Sequence, residues 1–150
     1  MAESSKPITV LNTLTVTLID SITGYRDAAE HSQSDRFRTL FGSLAEDRTR
    51  AVERLRTEVT RLGGDPETDG SFLGKAHQRF LDLKSKVTGQ DEKAIVNEVE
   101  RGEDYLKEKF ETVLKDVDLA PEARSAVDEA YTSVKAGHDK MRDLKHGMEA

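Results

Sequence analysis

The chain has 150 residues, 35% charged and 5% aromatic, with no tryptophan, no cysteine and three prolines. That length suits one domain able to bury roughly 70% of its unfolded surface, and the balance suits helices built on leucine, valine and alanine more than sheet. A net charge of −6 argues against nucleic-acid binding, which needs a basic face, and the lack of cysteine excludes disulfides and thiolate metal sites.

Met1–Pro7 reads as a flexible polar tail without the apolar core of a secretory signal. No apolar run approaches the roughly 18 residues of a membrane span, and no basic block suggests a membrane surface, so the expected location is cytoplasmic. From Ile8 to about His31, Leu11, Leu14, Leu18, Ile22, Tyr25 and Ala29 recur at steps of three and four, which predicts a helix. Five threonines lower its propensity, so packing must hold it, and Gly24 lets a neighbour approach. Ser34 is placed to cap a second helix, about Asp35 to Leu62, whose stripe is Phe37, Phe41, Leu44, Arg48, Val52, Leu55, Val59 and Leu62. Gly63-Gly64 stops it.

Asp65–Gly70 is a loop by its turn residues. A third helix follows, about Phe72 to Val87, with His77 at the edge of its stripe. Asp91 caps a fourth, running to Val117, in which Ile95, Val99, Leu106, Phe110 and Val113 share a face with Glu103. Pro121 suits the first turn of a fifth helix, about Glu122 to His146, with Val127, Ala130, Tyr131, Val134, His138, Met141 and Leu144 as its stripe. Five amphipathic helices with short loops predict an all-α antiparallel bundle, a four-helix core with one additional helix.

Arg48, Glu103 and His138 are polar residues in apolar stripes, with Tyr25 a milder case. If the helices alternate in direction, the helical rise puts Arg48 about 20 Å, Glu103 about 18 Å, His138 about 12 Å and Tyr25 about 10 Å from the end where the first two helices meet. These four could then share a layer, and His77 fits it less well. One reading is a buried network in which Arg48 pairs with Glu103 while His138 and Tyr25 satisfy the remaining acceptors. The other is a metal site of Glu30, Glu100, Glu103 and His138, whose hard ligands would suit Fe, Mn or Mg. Di-iron bundles take a Glu from each of two helices and a Glu-x-x-His from each of the others. No Glu-x-x-His occurs here; Asp27-x-x-Glu30 and Glu100-x-x-Glu103 have its spacing with a carboxylate in place of His. Arg48 in the same layer would compete with a cation. No residue set points to a catalytic centre: there is no Cys nucleophile and no Gly-x-Ser-x-Gly elbow.

Four stretches carry a resemblance: LNTLTVTLIDSITGYRDAAE (11–30), RLGGDPETDGSFLGKAHQRFLDLK (61–84), VERGEDY (99–105) and YTSVKAGHDKMRDL (131–144). Together they cover most of residues 10–145. They resemble a bacterial family of unknown function described as four-helix bundles of the ferritin-like superfamily. The resemblance implies a ferritin-like bundle and brings no activity with it. A ferritin-like chain path needs an end-to-end crossover. The Gly63–Gly70 loop, reaching at most about 28 Å, is short for that unless the third helix is staggered.

Three function classes follow. The preferred one is a non-enzymatic bundle, with stress association as one setting, acting through a protein partner or as a homo-oligomer. The fifth helix is then the expected docking surface, since a four-helix core does not require it. The second is a degenerate ferritin-like metal-binding protein using carboxylates and His138 in the core, with Fe or Mn. The third is a carrier of a small apolar ligand, which requires a continuous apolar cavity of at least about 300 Å³.

Overall fold

The structure, a computed structural model, describes residues 2–32, 34–69 and 92–149. Four helices account for nearly all of them: α1 (Ala2–His31), α2 (Asp35–Arg61), α3 (Glu92–Asp116) and α4 (Pro121–Glu149). No strand occurs among the described residues. The third helix expected at 72–87, with His77, and the capping Asp91 lie outside them.

Local chemistry sets the ends of α2. Ser34 stands in extended conformation and its hydroxyl accepts the Phe37 N–H, satisfying one of the donors a helix start leaves free. At the other end Gly63 takes φ +89°. Its N–H bonds Thr60 O at 3.0 Å, and the Gly64 N–H bonds Val59 O at 2.9 Å, the two reverse bonds of a Schellman stop. Gly64 also has a tertiary role, because a Cβ there would lie 2.7 Å from Ile8 Cγ2. Asn12 ties down the next residues, donating to Asp65 O and accepting the Glu67 N–H, both at 3.0 Å. The end of α2 is thereby fastened to the beginning of α1.

Among the described residues each helix packs chiefly against two neighbours, in the cyclic order α1–α2–α4–α3. Side-chain contacts give the directions. Arg61 meets Glu122 at 3.4 Å while Ser133 donates to Asp47, so α2 and α4 are antiparallel. Tyr131 donates to Glu111 at 2.6 Å and Lys145 meets Glu100 at 3.3 Å, so α3 and α4 are antiparallel as well. It follows that α2 and α3 lie across a diagonal and run the same way. The chain between them, residues 62–91, connects opposite ends and is ample for that at roughly 3.3 Å per residue. The core between the helices is aliphatic and aromatic, with Leu14, Phe41, Leu55, Val96, Phe110 and Met141 fully buried. Among the described residues, no helix is long and apolar enough to cross a membrane.

One boundary and one packing role differ from the sequence expectation. α1 starts at Ala2 and takes in the stretch read as a tail. Pro7 lies less than two turns inside, where its missing N–H removes a single bond to the carbonyl of Glu3. The predicted fifth helix, which is α4, is a wall of the core and not an appendage. Ala123, Ala126, Val127, Ala130, Val134 and Met141 are all buried, so the apolar stripe that a docking face would require is already covered. A chain ending at Asp118 should therefore lose its cooperative thermal transition, because α2 and α3 would each expose an apolar face. Far-UV circular dichroism checks this; an unchanged melt would show α4 to be dispensable.

Candidate functional site

Arg48 sits on the buried stripe of α2, and Glu103 on that of α3, with 1% and 2% of their surfaces exposed. Their side chains meet across the α2–α3 diagonal. Arg48 Nη1 donates to Glu103 Oε1 at 2.8 Å and Nη2 donates to Oε2, forming a two-pronged fork. The same guanidinium reaches the other two helices: Nη1 donates to Ser21 Oγ of α1 at 2.6 Å, and Nη2 to Val134 O of α4 at 3.3 Å. One side chain thus bonds all three partner helices. Tyr25 lies against it, the guanidinium carbon 5.4 Å from the ring centroid, a cation–π distance. Phe41 packs beside Tyr25 with ring centroids 6.1 Å apart.

Burial works against the charge on Arg48, and the adjoining Glu103 carboxylate more than offsets it, so the guanidinium pKa stands above its usual value. Burial, and then the Glu103 charge, hold the Tyr25 phenol well above its usual range. Among the described residues the buried Tyr25 hydroxyl and Arg48 Nε have no hydrogen-bond partner. Gly137 of α4 faces this centre. A Cβ at that position would collide with Arg48 Nη2 and come within 3.2 Å of Glu103 Oε2. Gly137 therefore permits the approach of α4 to the fork.

The structure brings Tyr25, Arg48 and Glu103 together and leaves His138 outside. His138 Nε2 faces Asp104 Oδ1 at 2.7 Å and Nδ1 faces Asp139 Oδ1 at 3.2 Å, on the α3–α4 flank. The hydrogen bond from His138, helped by Lys135 and Arg142, holds the Asp139 carboxyl below its usual range. The stripe position on α4 belongs to Gly137, one residue earlier. With no side chain, Gly137 carries no hydropathy signal, which is why periodicity selects His138 instead.

The four expected metal ligands are dispersed. Glu30 is exposed, Glu100 pairs with Lys145, Glu103 with Arg48, and His138 with its two aspartates. Among the described residues no three His, Asp or Glu side chains group in a way that could hold an ion.

Sequence reasoning also passes over Ser21 and Glu58. Glu58 is 2% exposed beneath Arg61, which donates to both of its oxygens, with Arg54 3.8 Å away. The Glu58 hydrogen bond is the main reason the Arg61 pKa lies above its usual value. The available signal was the i,i+3 spacing of Glu58 and Arg61 beside a stripe. On the α3–α4 flank Tyr131 stacks on Phe110 and donates to Glu111, which also meets Lys107 at 3.1 Å. The Tyr131 hydrogen bond and Lys107 lower the Glu111 pKa. Burial and the Glu111 contact push the Tyr131 phenol up to about 12.

A second feature lies on the surface. Between α1 and α3 runs a groove of about 460 Å³, lined by Thr9, Val10, Thr13, Leu14, Tyr105, Glu108, Lys109, Thr112 and Val113. Tyr105, at its rim, is the large apolar side chain left exposed among the described residues, at 53%.

Four packed helices around a polar centre define an all-α bundle. Comparison of sequences then gives the family: the model of a domain of unknown function, DUF2383, matches residues 6–116, the span from near the start of α1 to the end of α3. The chain belongs to that family. No curated protein matches it. The matched span contains Tyr25, Arg48 and Glu103 but not α4, which completes the centre through Val134 and Gly137.

Two outcomes follow from the centre. Glu103→Ala should destabilise the fold by about 3–5 kcal/mol, the usual effect of stranding a buried charge, whereas Arg48→Met combined with Glu103→Leu should recover most of that loss. Denaturant unfolding of the three proteins measures it; equal losses in the single and double variants would show the pair is not acting as a unit. The second concerns alkali. Tyrosines of the unfolded chain ionise from about pH 10, and both Tyr25 and Tyr131 keep their protons longer in the fold. The stabilisation from these neutral phenols is complete below that pH and declines as pH rises through the folded values. Phenolate absorbance from Tyr131 should appear at about pH 12, and that from Tyr25 with unfolding. Phe substitutions assign each phase, and an earlier Tyr25 phase would contradict its placement.

Proposed function

We propose that this protein is a non-catalytic ferritin-like bundle that works by contact with another protein chain through the α1–α3 groove. The observation that carries the reading is the Arg48–Glu103 fork. In ferritin-like proteins the chemistry lies at the middle of the bundle, in carboxylates and histidines aimed inward. Here the Glu103 carboxylate is engaged by a guanidinium that also bonds the other two described helices facing it. A fixed positive charge there opposes a second cation, and a carboxylate in a two-pronged bond has little freedom to act as a base.

The helix path supports the ferritin-like part of the reading. A parallel diagonal pair joined by one end-to-end connection is the arrangement of bundles with a single crossover. The resemblance of the sequence supports a bacterial origin, and a cytoplasmic setting accords with a contact role. The contact itself is drawn from the groove. It is an apolar-floored depression with an exposed tyrosine at its rim, and aromatic anchors are enriched at interfaces. Its volume also exceeds the roughly 300 Å³ needed for a small apolar ligand, which is a second reading of the same surface. Photo-cross-linking in cells separates them, with benzoylphenylalanine replacing Tyr105 and, as a control, Glu122 on the exposed face of α4. A protein adduct specific to position 105 is expected; adduct no greater than at position 122 would overturn the contact reading.

A further inference from the structure

We propose that the occupant of the α1–α3 groove is a second copy of this chain, docked about a twofold axis that sets Glu108 of each copy against Lys109 of the other. This rests on the contact reading above and names its partner.

The charge pattern of α3 is the main argument. From Glu98 to Glu111 all but two of its charged side chains are paired: Glu98 with Arg101, Glu100 with Lys145, Glu103 with Arg48, Asp104 with His138, and Lys107 with Glu111. Glu108 and Lys109 have no oppositely charged partner among the described residues, and both line the groove. Lys109 does approach the Tyr105 ring, its ammonium 5.7 Å from the centroid. Two adjacent residues of opposite sign form a self-complementary device. In a twofold contact, if residue i meets residue j of the other copy, then j meets i as well. Both charges are satisfied by one operation, and no other protein need supply the complement.

The rest of the surface agrees. The net charge of −6 would push two copies apart, yet the α1 side of the groove adds nothing to that repulsion. Ile8 to Ile19 contains no charged residue. The hydroxyls of Thr13 and Thr17 donate to the carbonyls of Thr9 and Thr13 four residues back. With those donors used internally, the threonines lose less on leaving water. Tyr105 then supplies an amphipathic ring of the type that anchors interfaces.

Sedimentation velocity on the full chain tests this across the micromolar to millimolar range, with circular dichroism establishing that each variant is folded. The wild type should approach twice the monomer mass. Glu108→Lys and Lys109→Glu should each be monomeric, because each sets like charges opposite one another in both halves of the contact, weakening it by about a hundredfold or more. Mixed in equal amounts, these two variants should regain dimer mass, since one carries lysine at both positions and the other glutamate at both. A monomeric wild type, single variants that dimerise unchanged, or a mixture that stays monomeric would each overturn the proposal. The two levels separate cleanly. A monomeric wild type with a cross-link from position 105 to a different protein removes the second copy and leaves the contact reading. No cross-link at 105 removes both.

Discussion

One guanidinium fixes the arrangement of the four helices. In a ring of four helices each member packs against two neighbours, and the diagonals are the pairs that side-by-side packing secures least. Arg48 spans one diagonal to Glu103 and bonds the remaining two helices through Ser21 and the Val134 carbonyl. Aliphatic packing tolerates a helix sliding by a fraction of a turn, because one methyl contact resembles the next. A planar fork facing a carboxylate does not, since the hydrogen bonds exist at one register only. Burying the two charges weakens their net contribution to stability, so the value of the pair lies more in selecting one arrangement than in total free energy.

How much of this is legible in the sequence varies with what each residue has to announce it. Three- and four-residue spacing locates α1, α2, α3 and α4, and Ser34, Gly63 and Pro121 mark their ends by chemistry that acts within one turn. The same spacing places Arg48 and Glu103 on inward faces, because a charge within an apolar stripe is conspicuous. Gly137 is not conspicuous: what it contributes is the space its missing side chain leaves, and only the neighbouring helix shows that the space is needed. Its neighbour His138 is the more conspicuous residue in the sequence but serves the α3–α4 flank. Glu58 was hidden differently, as one more acid on a charged helix until Arg61 closes over it.

The role of α4 differs from the sequence expectation for a topological reason. Five amphipathic segments leave one in excess of a four-membered core, and amphipathicity alone does not say which. The packing shows α4 as a full wall. The family match ends at residue 116, so the segment that closes the polar centre lies beyond the part of the chain by which the family is recognised.

The Asn12 clamp has a kinetic consequence. It fastens the end of α2 to the start of α1, while the Ser34 turn closes the other end of the same hairpin. α3 and α4, joined by a short turn, form a second hairpin. Arg48 and Glu103 lie one in each hairpin, so their contact forms only when the two hairpins meet and needs α2 and α3 already in shape. Assembly is thus the docking of two locally closed pieces, with the ion pair among the last contacts to form. An interaction made that late leaves the rate of folding nearly untouched and sets how slowly the finished molecule comes apart.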